Sequence, residues 1–182
     1  MKTPNPLILA IALFAYVQMS SAQQAFPDIT GKTLEDKTIN IPLETKGKYT
    51  LVGIAYSKKA EEQLKTWFQP VYNTFIQEPG KTFLPTETYD VNIYFIPMIT
   101  GIAQSAGGKI EDKMKENVDK SLRPYVLIYE GEVKSYKTSL NMTEKDQPYF
   151  FVLDPKGRVV YHCAGSYTES KFDRILEIIE DF

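Results

Sequence analysis

Two side chains that could do nucleophilic or acid–base chemistry, His162 and Cys163, are adjacent near the C-terminus. They are the only histidine and the only cysteine of the 182 residues. Neighbouring side chains of a β-strand point to opposite faces, so the pair is not expected to work as base and nucleophile. A single cysteine forms no intramolecular disulfide, and one histidine with one cysteine makes no recognisable zinc site. The sequence therefore predicts no catalytic constellation, no metal and no cofactor. Cys163 is interpreted as a core thiol on the strand face of Val159 and Tyr161, with a reactive thiol as the alternative.

A second position of chemical interest is the turn that begins at Ser57. The apolar run Leu51–Tyr56 precedes it, and an amphipathic helical pattern follows. A thiolate in such a turn is stabilised by the helix dipole, but Ser57, Lys58 and Lys59 contain no thiol. A serine nucleophile would need an adjacent base, and the only histidine lies far along the chain. We interpret the turn as a recognition surface. The alternative is a solvated turn that only caps the helix.

The elements around this turn alternate between strands and helices. The pattern predicts a strand at Thr50–Tyr56 and a helix from about Lys59 to Ile76, which Pro70 should kink or divide near Gln69. Further predicted strands are Thr38–Leu43, Val91–Ile99, Tyr125–Tyr129, Pro148–Leu153 and Arg158–Ala164. Further helices are predicted from Ile110 to Leu122 and from Glu169 to the end, whereas Glu132–Lys145 is expected to be irregular. This order predicts an α/β three-layer sandwich. Its mixed central sheet has a parallel β-α-β part and a C-terminal antiparallel hairpin followed by a helix.

The N-terminus predicts export. Lys2 precedes the uncharged apolar stretch Leu7–Val17, and small residues lead to a cleavage site before Gln23. Residues 1–22 are therefore expected to be a secretory signal peptide and residues 23–182 one domain, periplasmic or secreted, without a stable membrane anchor. An N-terminal anchor or a buried helix is the alternative.

The net charge of −2, with acidic and basic residues interspersed, gives no basic surface for nucleic acid. The sequence does not predict whether the long loop at 78–90 is ordered.

The C-terminal part of the sequence resembles the thioredoxin-like fold. The run from Gln147 to Tyr161, with a proline before a strand, an Asp-Pro-Lys-Gly turn and a second strand, is similar to the TlpA-like and peroxiredoxin-like branches. The resemblance covers most of the chain after residue 22. It implies that the bond before Pro148 is cis and that this proline faces the turn at Ser57.

A narrower resemblance concerns the thioredoxin-fold assembly factor family of mitochondrial ATP synthase, whose members lack the CxxC pair. It rests on Leu51-Val52, Tyr56, the cysteine-free turn, Glu62 and Trp67. The stretches Phe26–Ile29 and Leu140–Asp154 are also similar. This resemblance implies a binding scaffold that acts on a protein partner as an assembly chaperone. The chain departs from the family in its secretory leader, in having Tyr161 where the family has tryptophan, and in a last strand that extends through His162-Cys163.

The sequence thus favours an exported, redox-inactive thioredoxin-fold protein that binds a protein or extended peptide as an assembly or accessory factor. The candidate binding surface consists of Tyr56, Ser57, Lys58, Lys59, Gln147 and Pro148. The alternative function is a divergent thiol oxidoreductase or peroxidase-like enzyme that uses Cys163. A third possibility is a small ligand in the cleft that the missing cysteines leave. The oligomeric state is left open.

Overall fold

A seven-stranded mixed sheet forms the centre of the protein. The computed structural model describes residues 24–77, 89–101 and 107–180. The strands are β1 (Ile29–Thr33), β2 (Thr38–Ile41), β3 (Tyr49–Ala55), β4 (Val91–Ile99), β5 (Leu127–Glu130), β6 (Tyr149–Leu153) and β7 (Val159–Ala164). The α-helices are α1 (Lys58–Leu64), α2 (Phe68–Val71), α3 (Gly107–Asn117), α4 (Lys134–Ser139) and α5 (Glu169–Glu180). The predicted signal peptide and most of the 78–90 loop lie outside the described residues.

The strand order is β2-β1-β5-β4-β3-β6-β7. β3, β4 and β5 run parallel, while β6 is antiparallel to both β3 and β7. The predicted mixed sheet, with its parallel part and its C-terminal hairpin and helix, is confirmed. The parallel register pairs Ala55 with Pro97, so β3 and β4 end at the same edge of the sheet. Among the described residues, no helix is both long and apolar enough to cross a membrane.

Apolar side chains cover both faces of the sheet, which makes three layers. One core cluster contains Trp67 and Phe150, with side chains from α1, α3 and α5 packed around them. The cluster on the opposite face contains Phe151 and Met142, with Tyr136 of α4 against it. Adjacent residues of β6 belong alternately to the two clusters. β6 is therefore buried on both faces, as is typical of a central strand in a layered sheet.

The helix after β3 is divided, as Pro70 predicts. α1 gives way to a 3₁₀ turn at Lys65–Trp67, and the chain then continues as α2 and a π-helical turn at Tyr72–Ile76. Proline lacks an amide hydrogen and its ring crowds the carbonyl four residues earlier, which is that of Thr66. The irregular turn therefore falls where a regular helix would place this clash.

The predicted elements were wrong in three places. The stretch expected to be irregular contains α4, which buries Leu140 at its end. The helix expected to reach Leu122 ends at Asn117, and Asp119 caps a separate 3₁₀ helix at Lys120–Tyr125. The N-terminal segment contributes two strands rather than one, because Gly31 lets β1 approach β5 closely: a Cβ there would lie 2.6 Å from the Ile128 carbonyl oxygen.

The last strand also differs from its predicted alternation. Val152 pairs with Tyr161 and Leu153 pairs with Val159, so Val160 is an extra residue in a β-bulge. The bulge places Val160 on the Tyr161 face and turns Val159 to the other core cluster. Cys163 therefore shares its face with Tyr161, as predicted, but not with Val159.

Candidate functional site

The turn between β3 and α1 begins with Ser57, whose hydroxyl is engaged within the chain. Ser57 Oγ accepts a hydrogen bond from the Ala60 amide at 3.1 Å and is the N-cap of α1. The same hydroxyl donates to the Lys145 carbonyl oxygen at 3.0 Å, and Asp146 Oδ1 lies 3.4 Å away. A cap of this kind satisfies an amide that the first helical turn leaves free. Ser57 therefore has a structural role in the geometry of this turn.

The segment 142–147 covers one side of the turn. Gln63 donates through Nε2 to the Asp146 carbonyl oxygen at 2.8 Å, and Lys59 Nζ lies 3.6 Å from an Asp146 carboxylate oxygen. The Lys59–Asp146 pair is exposed and adds little stability by itself. Together with the Ser57 contacts, these bonds fix the chain just before β6 against the start of α1.

Two stacked tyrosines lie beneath this segment. The Tyr56 hydroxyl lies 3.0 Å from the Met142 carbonyl oxygen and 2.8 Å from that of Glu144. The Tyr149 hydroxyl accepts from the Glu144 amide at 2.6 Å, and the two rings stack with centroids 6.4 Å apart. Burial, with a smaller effect of Tyr149, raises the pKa of Tyr56 to about 12. Tyr56 is therefore a neutral hydrogen-bond donor at physiological pH.

We expect Tyr56→Phe to lower the free energy of unfolding by about 1–2 kcal/mol, because the buried hydroxyl donates its single proton between the Met142 and Glu144 carbonyl oxygens. Tyr94→Phe is the matched control, since the Tyr94 hydroxyl has no hydrogen bond to any described residue and should change stability by less than about 0.5 kcal/mol. Urea unfolding followed by far-UV circular dichroism measures both. Equal shifts for the two variants would show that the hydroxyl network contributes nothing.

The structure corrects the expectation about Pro148. The cis peptide bond recorded in the described chain precedes Pro42, and the Gln147–Pro148 bond is trans. Pro148 is buried, leads directly into β6, and its carbonyl oxygen accepts from the Gly165 amide at 2.9 Å. A trans proline immediately before the first residue of a strand explains this geometry, because that position tolerates the missing amide donor. Gln147 is half-buried, with its Nε2 3.4 Å from the Tyr149 hydroxyl.

The other side of the turn opens into a groove between α1 and α3, here called the α1–α3 groove. It has a volume of about 880 Å³ and begins where β3 and β4 end, with Tyr56, Ser57 and Lys58 among its lining residues. Its aliphatic and phenyl side chains are those of Phe68, Met98, Ile99, Ile110, Met114, Val118 and Leu122. Its charged side chains are those of Lys58, Glu61, Glu62, Lys65, Lys113 and Asp119. Ligands of open α/β sheets bind outside the carboxyl ends of parallel strands, which is where this groove lies.

The structure thus separates the predicted surface into two parts. Tyr56, Ser57 and Lys58 line the groove, whereas Gln147 and Pro148 belong to the covered side of the turn. The contribution of α3 to the groove was not predicted from the sequence. The sequence predicts a helix from Ile110 to Leu122, but not that the side chains of Ile110, Met114 and Val118 form a wall of the groove.

Cys163 lies on β7, outside the lining of the groove. Its half-buried side chain packs against the Trp67 cluster, while the His162 ring stacks over Phe151 on the opposite face with centroids 6.2 Å apart. The prediction that the two side chains diverge is confirmed. Burial raises the pKa of the Cys163 thiol, and Lys171 and the Tyr161 hydroxyl only partly oppose it. Among the described residues, no three histidine, cysteine or carboxylate side chains are grouped as metal ligands.

We expect the Cys163 thiol to react slowly with iodoacetamide at pH 7.5, at least several-fold slower than glutathione. The raised pKa reduces the thiolate fraction, and half-burial restricts access. Mass spectrometry of the native protein over time measures the rate, and the urea-unfolded protein is the control that restores full reactivity. Native labelling as fast as that of glutathione would contradict the expectation.

Comparisons with known proteins agree with this fold. The thioredoxin lipoprotein Etrx1 of Streptococcus pneumoniae is 13% identical with a TM-score of 0.56, covering 86% of this chain and 100% of that one. BsSco, from the Sco family of cytochrome c oxidase assembly proteins, is 10% identical with a TM-score of 0.54, covering 88% and 94%. StoA of Bacillus subtilis is 17% identical with a TM-score of 0.51, covering 82% and 96%. At such identities the likeness shows the thioredoxin-like fold alone.

Sequence comparison identifies the family. No curated protein matches the chain. The family described as ATP10 protein matches residues 15–181, which is nearly the whole sequence. The cysteine-free turn and the thioredoxin-like fold agree with this match. The chain therefore belongs to the ATP10 protein family of thioredoxin-fold assembly factors.

Proposed function

We propose that this chain is an exported accessory protein that binds a protein partner in the α1–α3 groove and carries out no thiol chemistry. The observation that carries the proposal is the groove itself. It has an apolar wall with charged side chains around it, no cysteine is among its lining residues, and it opens beside the turn where thiol-dependent relatives of this fold have their reactive residue. Membership of an assembly-factor family supports a protein as the partner.

The chemistry of the turn supports a binding role over a catalytic one. The Ser57 hydroxyl is used as a helix cap, and the one thiol lies on another strand with a raised pKa. Lys58 is exposed, lines the groove and can contact a partner there, whereas Lys59 is exposed beside Asp146 on the other side of the turn. Tyr56 and the 142–147 segment hold the turn in place, which presents the groove on a rigid support.

Export is the second part of the proposal. Residues 1–22 have the composition of a secretory signal peptide, and residues 23–182 would form a single thioredoxin-like domain. Expression of the full chain in a bacterial host tests it. N-terminal sequencing of the protein from the periplasm or medium should begin at Gln23, whereas an uncleaved, cell-associated chain would contradict export.

Photocrosslinking tests the binding role. A benzoylphenylalanine at Lys113, on the rim of the groove, should give a discrete protein adduct in the native compartment. The same residue placed at Lys156, in the exposed hairpin turn, is the matched control. Met114→Glu, which puts a charge into the apolar wall, should remove the adduct while circular dichroism shows an intact fold. Identical adducts from both positions, or none from Lys113, would overturn the proposal.

An insulin-reduction assay with dithiothreitol tests redox inactivity. The purified protein should not change the rate of insulin precipitation relative to buffer. A measurable acceleration that disappears in Cys163→Ser would favour the oxidoreductase instead.

A further inference from the structure

Glu61 is the half-buried carboxylate of the α1–α3 groove. It lies in the first turn of α1, and its side chain has no hydrogen bond or ion pair with any residue in the described ranges. The other acidic side chains of the groove are engaged: Glu62 pairs with Lys65 at 2.9 Å, and Asp119 accepts from the Ser121 amide at 2.8 Å. Glu61 is therefore the acid available to a bound molecule.

The surroundings of Glu61 make an unpaired charge unfavourable. Burial raises the pKa of its carboxyl, and the nearby Lys65 and Lys58 ammonium groups offset this only in part. A carboxylate beside apolar groups gains most from a cation that is brought to it while water is excluded. A basic group on the occupant supplies that cation.

The remaining lining defines the rest of the occupant. Met98 and Met114 have flexible, polarisable side chains that adapt to different apolar surfaces. Lys58 and Lys113 line the same groove and repel additional positive charge. The groove therefore favours a single basic residue between apolar residues over a polybasic segment.

We propose that the α1–α3 groove binds a peptide segment of the partner in which one Arg or Lys, flanked by apolar residues, pairs with Glu61. This inference rests on the proposed function, since it specifies what the partner presents to the same groove. It adds a residue that determines specificity, and it excludes acidic and polybasic segments as preferred occupants.

Synthetic peptides test the pairing. The probes are three fluorescein-labelled 12-residue peptides of Leu, Ile, Ala and Ser that differ only at one central position, which is Arg, Gln or Glu. Fluorescence anisotropy with the full chain should show the Arg peptide binding about tenfold more tightly than the Glu peptide, as a partly desolvated ion pair provides. A fourth peptide with three Arg residues should bind less tightly than the one with a single Arg.

Variants assign the effect to Glu61. Glu61→Gln should reduce the Arg-over-Glu preference to about twofold or less, and Glu61→Lys should reverse it. Glu177→Gln, an exposed carboxylate of α5 outside the groove, is the control and should leave the preference unchanged. Failure of the Arg peptide to bind, no charge preference, or a preference that survives Glu61→Gln would overturn the inference. If the Lys113 adduct persists in any of these cases, the proposed function stands and only the pairing is wrong.

Discussion

Replacement of Trp67 by alanine is expected to lower the free energy of unfolding by about 3–5 kcal/mol. The side chain is fully buried, and its indole stacks on Phe150 with centroids 4.0 Å apart. Tyr167 and Phe172 contact it edge-on at 5.5 Å and 6.5 Å, and its Nε1–H donates to the Gly165 carbonyl oxygen at 3.1 Å. Truncation would leave a cavity between α1, β6 and α5 and an unpaired carbonyl. The loss would be a large part of the total stability of a domain of this size.

Trp67→Phe is the matched control for this prediction. It keeps an aromatic ring against Phe150 but removes the hydrogen bond to Gly165, and it should lower the free energy of unfolding by about 1–2 kcal/mol. Because Trp67 is the only tryptophan, urea unfolding is followed by far-UV circular dichroism rather than fluorescence. A loss below about 1 kcal/mol for the alanine variant would show that this cluster does not hold the helices to the sheet.

The burial of Trp67 in the core could be predicted from the sequence because apolar residues recur around it at helical spacing. It recurs with Leu64, Phe68 and Val71 at helical spacing, and the adjoining strand is apolar throughout. For the same reason β4 was predicted with its observed limits, Val91–Ile99. Strong local patterns of this kind suffice for the order of elements and therefore for the fold class.

Features that depend on contacts distant in sequence could not be predicted. α4 has only six residues, too few for a helical period to be recognised. The bulge at Val160 follows from the register with β6, which no pattern within β7 reveals. Gly53 reads as an ordinary strand residue, yet a Cβ there would lie 2.6 Å from Phe150 Cε1, so the ring that Trp67 stacks on requires a glycine at this position.

In the candidate site, too, the locally encoded features could be predicted and those that depend on distant contacts could not. The strand-to-helix transition in the sequence indicates Ser57, and the alternative interpretation of its turn as a helix cap agrees with the hydrogen bond from Ala60. Which side of the turn is open could not be predicted, because the 142–147 segment that covers one side is more than 80 residues away along the chain. Pro148 directly follows that segment, so the resemblance to cis-proline families placed it at an open surface that the structure closes.

The second large effect is expected at Asp154 in the β6–β7 turn. Its carboxylate is buried; Oδ1 accepts from the Lys156 and Arg158 amides, both at 2.9 Å, and Oδ2 accepts from Arg158 Nε at 2.7 Å. Asp154→Ala should lower the free energy of unfolding by about 2–4 kcal/mol, because it leaves two amides without an acceptor and the Arg158 guanidinium without its partner. Asp154→Asn keeps an oxygen for the amides and should lower it by about 1–2 kcal/mol.

The pH dependence of the free energy of unfolding distinguishes the contribution of the Asp154 charge from that of the other hydrogen bonds in the β6–β7 turn. Burial raises the pKa of the Asp154 carboxyl, but the hydrogen bonds from Arg158 and the turn amides outweigh it and hold the pKa below its ordinary value. A depressed folded-state pKa stabilises the protein above the unfolded-state pKa of about 4, and this contribution disappears as the pH falls through the lower folded-state value. The stability difference between the wild type and Asp154→Asn should therefore be full at pH 6 and shrink steadily below pH 4. Urea unfolding at a series of pH values measures it, and a difference that stays constant down to pH 2.5 would show that the carboxylate charge does not stabilise the turn.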